Sequence, residues 1–199
     1  MPISAKSIII HLYYQLWVDL AINDSILKDL DSLVNNKKII LISELTQTKD
    51  EKTIEKMVSL FDDDDITIRG EVFSALFLNK HDISKKLIQS LDEKSKNVRA
   101  FCSLILANRN DENAIDAIIK LTDDTSTIVR SCAFGALGHL RAKTARDKIS
   151  QGIFDSNIEV KKSAAYALVL INEEFSRQER IELEKQEDSD FQKILKNYN

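Results

Sequence analysis

The stretch Asp123-Asp124-Thr125-Ser126-Thr127-Ile128-Val129-Arg130-Ser131-Cys132-Ala133-Phe134-Gly135-Ala136-Leu137 decides the fold. It opens with two acids and small hydroxyl residues, which is turn and helix N-cap chemistry. Ile128, Val129, Ala133, Ala136, Leu137 and Leu140 then recur at three- and four-residue steps, the spacing of one helical face. Ahead of the turn, Ala114, Ile115, Ile118, Ile119 and Leu121 form another such face. The unit is therefore helix, short acidic turn, helix.

The same order returns along the chain. Asp62, Ile68, Arg69, Val72, Ala75 and Leu76 make one copy; Asp92, Val98, Arg99, Cys102, Ile105 and Leu106 another; Asp155, Val160, Lys161, Ala164, Ala167 and Leu168 a third. The bases Arg69, Arg99, Arg130 and Lys161 stand 30, 31 and 31 residues apart. A fixed period of this size marks a stack of identical supersecondary units. Neither helix of a unit can bury its apolar face alone, so each unit depends on its neighbours. One period further back lie Asp31 and Lys38, with Ile26, Leu27 and Leu30 as first helix and Ile39, Ile40, Leu41 and Leu45 as a degenerate second helix. Lys37 and Glu44 stand there in apolar or small places, as suits a unit near the end of a stack.

An Asp in the turn, then Val-Arg, then small residues and Ala-Leu resembles a HEAT repeat, and the short period is similar to the phycobilisome-lyase type of that family. The resemblance covers residues 23–172. It implies an all-α, right-handed α-α superhelix of about five helix-turn-helix repeats, with residues 1–22 and 173–199 as terminal caps of one domain. It further implies that turn acids and helix-start bases interlock between repeats. That gives Asp62, Asp92 and Asp123, with Arg69, Arg99 and Arg130, a structural role as a ladder. On this register Asp155 is one place out, and Lys161, which lacks the arginine fork, should make a looser last rung.

Composition agrees with a helical chain. There is one proline, at position 2, so no helix needs a proline kink, and the four glycines all fall within helical patterns. Cys102 and Cys132 occupy packed places in successive second helices and read as buried thiols of a reducing, cytoplasmic compartment. His11, His81 and His139 lie in three different units, and none is followed by Glu, so no metal site is expected. No Ser/His/Asp, Cys/His, paired-carboxylate or phosphate-loop arrangement is present, so neither an enzyme nor a cofactor is expected. The formal charge is −4, from 28 bases and 32 acids. That argues against a nucleic-acid partner, although the line of bases keeps it as an alternative.

Residues 4–22 are apolar around most of a helical circumference, with Ser7, His11, Gln15 and Asp19 as a narrow polar stripe. The segment is too short and interrupted for a membrane span, and it lacks a signal-peptide cleavage pattern. Either it wedges across the end of the stack, or it leaves Tyr13, Tyr14 and Trp17 as anchors for another chain, a second copy included. At the other end, Ser176 with Glu179 three places on forms a capping-box pattern, and the charged segment 173–199 reads as a polar cap or tail.

A stack makes surface rather than a cleft, so the expected job is a protein-interaction scaffold whose concave face takes a partner protein or peptide. Places one, five and eight after each base should face outward: Gly70, Ser74, Phe77; Ala100, Leu104, Ala107; Ser131, Gly135, Gly138; Lys162, Tyr166, Val169. Phe77, Leu104 and Tyr166 are the expected anchors. An accessory lyase-type subunit is the remaining alternative, implied by the resemblance alone.

Overall fold

A computed structural model describes residues 24–186 and 188–197. The segment carrying Tyr13, Tyr14 and Trp17 lies outside the described residues. All regular elements among them are helical. Residues 24–32 form α1, followed by α2 (Asn35–Glu44), α3 (Glu51–Ser59), α4 (Ile66–Leu78), α5 (Ser84–Gln89) and α6 (Lys96–Asn108). Then come α7 (Ile115–Leu121), α8 (Thr127–His139), α9 (Arg146–Gly152), α10 (Ile158–Leu170), α11 (Arg177–Glu184) and α12 (Ser189–Asn197). These are six pairs, five of them covering the repeats and the sixth built from the charged C-terminal segment.

The second helices α4, α6 and α10 start at side-chain caps. Asp65 accepts from the Thr67 amide at 2.8 Å, Ser95 from the Asn97 and Val98 amides, and Asn157 from those of Glu159 and Val160. Such caps satisfy donors that a helix start leaves unpaired. At the opposite ends, Asn110, Arg141 and Asn172 adopt φ of 55°, 54° and 60°. The amide after each bonds back to Leu106, Leu137 and Leu168, closing Schellman turns at a 31-residue interval. The repeat is thus written in backbone conformation as well as in side chains.

Second helices pack in series, α6 on α8 and α8 on α10, through small residues. Ala133, Ala136, Ala164 and Ala167 are fully buried. Close approach is tightest at Gly138, where an added Cβ would stand 2.8 Å from the Ala167 Cα. Gly152 serves α9 in the same way, since a Cβ there would meet the Phe134 ring at 2.5 Å. Around this layer Ile54, Met57, Leu87, Ile118 and Ile149 of the first helices complete one continuous core. Cys102 is buried and Cys132 half-buried, both as free thiols.

The C-terminal segment is docked. Phe191, Ile194 and Leu183 are buried, and α12 lies against α10 as a second helix would. The capping box of Ser176 and Glu179 is formed in both directions. Glu179 does more than cap: it also accepts from both terminal nitrogens of Arg146, at 3.0 and 3.2 Å, and from the Ser150 hydroxyl.

Candidate functional site

Two features organise the surface: an ion-pair ladder at the turns and an exposed strip on the second helices. The ladder runs one residue away from the sequence expectation. Arg99 donates from Nε and Nη2 to Asp124, at 2.7 and 2.9 Å, and Arg130 grips Asp155 in the same way at 2.8 and 3.0 Å. Each base thus reaches forward 25 residues to the next turn. Nη1 meanwhile binds the carbonyl six places back, that of Asp63, Glu93 or Asp124 for Arg69, Arg99 and Arg130. Lys38 joins the series at Asp63, 3.3 Å away.

The rung carboxylates are therefore Asp63, Asp124 and Asp155, and Asp155 is in register. The reason lies in the turn. Asp63, Asp124 and Asp155 each accept the amide two residues on, that of Asp65, Ser126 or Asn157, which fixes the carboxylate toward the preceding repeat. Asp62, Asp92 and Asp123 stand one place earlier and point elsewhere. Asp62 accepts from Ser95 and Asn97, Asp123 pairs with Lys148 at 2.7 Å, and Asp92 is exposed. Adjacent acids in the sequence concealed which of each pair carried the rung. Lys161, the last base, pairs with Glu182 of α11 instead of a turn aspartate.

Burial alone would raise the Asp124 and Asp155 carboxyls, yet the arginine forks and turn amides hold both below the usual carboxylate range. The rungs therefore contribute stability that is full above the unfolded aspartate pKa and lost as pH falls below it. Substituting Arg130→Lys keeps the charge and discards the fork; we expect a loss of about 1 kcal/mol, read by urea denaturation at neutral pH. An unchanged midpoint would mean that the fork contributes nothing beyond charge.

Between the rungs lie shallow grooves. One of about 280 Å³ is lined by Asp123, Asp124, Arg130, Lys148 and Asp155. Its charged groups are already bonded to one another, so it is a by-product of the ladder. Another of about 340 Å³, at Glu55, Asp62, Lys86 and Ser95, is likewise crossed by an ion pair between Glu55 and Lys86. Among the described residues no group of three His, Cys, Asp or Glu side chains is placed to hold a metal ion.

On the second helices, Phe77 is 39% and Tyr166 45% exposed, and Leu104 is half-buried. Phe77 and Leu104 sit on neighbouring helices, α4 and α6. Tyr166 lies on α10, beyond Ser131 and Gly135 of α8. Gly70 and Gly135 face open space, with nothing within 4 Å of an added Cβ. Ala100, Ala107 and Gly138, expected outward, are buried. Helix-to-helix contact of the inner layer is wider than a single stripe, and it absorbs those three small residues.

The repeat geometry matches a known family over its most regular part. The family model described as HEAT repeats matches residues 84–169, α5 through nearly all of α10. Residues 84–169 are similar to HEAT repeats. No curated protein matches the chain in sequence. Solved structures share the architecture of these HEAT repeats at low identity. The YibA protein of Escherichia coli superposes with a TM-score of 0.62 at 18% identity, over 98% of this chain and 74% of that one. The complex of CpcE and CpcF of phycocyanin lyase from Nostoc sp. PCC7120 gives 0.54 at 18% identity, over 85% and 72%. A designed armadillo repeat protein in complex with the peptide (KR)4 gives 0.50 at 17% identity, over 88% and 98%. The HEAT and armadillo-like helical solenoid is the fold these share with the chain.

Proposed function

We propose that this protein is a non-catalytic scaffold that holds a partner protein or peptide along the exposed edge of its second helices. Phe77, Leu104 and Tyr166 act as anchors on that edge. The supporting observation is the exposure of the aromatic rings of Phe77 and Tyr166 beside the open places at Gly70 and Gly135, with Ile66 and Leu78 of α4 and Ile158 and Leu170 of α10 exposed on the same helices. Aromatic side chains lose little entropy on binding, and small neighbours let a partner backbone come close. A designed armadillo protein of the same architecture holds a peptide, which fits this use of the fold.

The test is binding by point variants. A partner is captured from source cells and identified by mass spectrometry, then titrated against Leu104→Glu and Tyr166→Glu. Each should lose roughly tenfold or more in affinity, as interface anchors do, with unchanged circular dichroism and melting. Folded variants that both retain full affinity would end this account of the face.

The N-terminal segment, with Tyr13, Tyr14 and Trp17, is proposed either to cap the stack as part of one domain or to join two copies. Sedimentation of Trp17→Ala beside the wild type distinguishes these, because only the second predicts a dimer that dissociates. A cytoplasmic location belongs to the same proposal. No described helix is long and apolar enough to cross a membrane.

A further inference from the structure

We propose that the stack is hinged between α4 and α6. The two bodies are α1–α4 on one side and everything from α5 onward on the other. Three independent departures from the repeat fall on this one joint.

The first is a missing rung. Arg69 keeps its bonds to the carbonyls of Asp63 and Asp64, but among the described residues no carboxylate pairs with its guanidinium. The place that Asp124 and Asp155 fill in later turns is held by Glu93, because its carbonyl is the one six places before Arg99. Glutamate is one methylene too long to close the side-chain turn on the amide two residues ahead. Glu93 is exposed and does not reproduce the locked carboxylate of its equivalents.

The second is the end of α4. Asn110, Arg141 and Asn172, each eleven places after its helix-start base, close Schellman turns, whereas Lys80, eleven places after Arg69, has no positive φ, and Asn79, which ends α4, has φ of −62°. Its side chain instead donates back to the Thr48 carbonyl at 2.7 Å, and Gln47 donates to the Leu78 carbonyl at 3.1 Å. The end of α4 is thus latched to the preceding unit. Residues 79–83 then cross to α5 without a Schellman turn, through side-chain turns in which Asn79 accepts from the His81 amide at 2.8 Å and Asp82 from the Ser84 amide at 3.1 Å.

The third is the helix pair itself. α6 meets α8, and α8 meets α10, closely along their lengths, but α4 approaches α6 at few points. Phe101 stands between them, stacked on Phe61 at 4.8 Å and edge-on to Phe73 at 6.3 Å. The equivalent places in α8 and α10 are the small residues Cys132 and Ser163. A flat aromatic contact tolerates sliding that interlocked alanines and glycine do not.

Beside this aromatic contact, polar ties also cross the joint. Asp62 accepts from Ser95 and Asn97, and Lys86 pairs with Glu55. Arg109 clasps the end of α4 through the carbonyls of Leu76, Phe77, Asn79 and His81. A few loop residues flanked by packed bodies are the usual anatomy of a hinge. This one separates Phe77 from Leu104 and Tyr166, so bending changes the spacing of the exposed strip. The hinge does not depend on that strip being the binding face.

Spin labels on equivalent first helices test it. One pair, Lys52→Cys with Asp116→Cys, spans two units across the joint. The other, Asp116→Cys with Gln178→Cys, spans two units within the second body. All three positions are exposed. Cys132→Ser removes the half-buried native thiol. Cys102 remains, because it is fully buried and its thiol is pushed up by burial to about 12. Dipolar spectroscopy should give a distance distribution roughly twofold broader across the joint. Glu93→Asp, which offers Arg69 its missing carboxylate, should narrow it, and Arg109→Ala should broaden it. Equal widths for the two pairs would overturn the proposal, as would a cross-joint width that neither substitution moves.

Discussion

Glu179→Gln will destabilise the protein by about 2–3 kcal/mol, because it removes a buried charge that ties the last helical pair to the repeats. Glu179 is 1% exposed. Its carboxylate accepts from Arg146 at 3.0 and 3.2 Å, from the Ser150 hydroxyl, and from the Ser176 amide at 2.6 Å. Glutamine offers one acceptor oxygen in place of two, and its amide would point N–H groups at donors. Arg146 keeps the Glu174 carbonyl and remains partly solvated, which places the loss below that of a fully buried pair. The melting temperature should fall by roughly 5–10 °C for a chain of this size. Burial alone would raise the Glu179 carboxyl, but the Arg146 fork, the Ser150 hydroxyl and the Ser176 amide bring it down to about 2. A folded pKa below the unfolded value of 4.5 contributes stability that is complete above that value and disappears as pH falls toward 2. The gap between wild type and Glu179→Gln should therefore shrink over that acid window. Urea midpoints at pH 7 and pH 3 measure both statements; a gap that is constant with pH would refute the electrostatic account.

Gly138→Val will cost about 3 kcal/mol or more, although valine is the better helix former. An added Cβ at this place meets the Ala167 Cα at 2.8 Å, the Ala167 Cβ at 3.1 Å and the Leu170 Cδ1 at 3.1 Å. The nearest of these is backbone, so relief requires α8 and α10 to move apart. That separation would also strain the Ser131–Ser163 hydroxyl pair at 2.7 Å and the Arg130 rung beside it. Gly135→Ala, three residues away on the same helix, provides the opposite sign. It meets nothing within 4 Å and should stabilise by about 0.5–1 kcal/mol through helix propensity alone. Thermal melts of the two variants beside wild type decide this. If both shift in the same direction, close helix approach is not what the glycine at 138 serves.

The ladder shows where a sequence stops being sufficient. Arg69, Arg99, Arg130 and Lys161 at a near-constant spacing fixed the helix-turn-helix beat, since apolar periodicity and turn chemistry are local properties of the chain. Which acid each base meets is not local. Asp123 and Asp124 are chemically identical neighbours, and only the turn bond from Asp124 to the Ser126 amide turns its carboxylate toward Arg99. The capping box at Ser176 was legible because it is written within four residues. The tie of Glu179 to Arg146, 33 residues away, was not. Ala100, Ala107 and Gly138 looked outward on a helical wheel and are buried, because a wheel describes one helix and a solenoid buries two flanks of each.

By itself, then, the sequence determined an all-helical stack, its period and the order of its units. Those follow from hydrophobic spacing and backbone preference within some thirty residues. The pairing of the rungs, the docking of α11 and α12, the burial of Ala100, Ala107 and Gly138 and the irregular joint at α4 were decided by tertiary structure alone. Each depends on the angle and separation at which one helical pair meets the next, and those are set by side chains a full repeat apart.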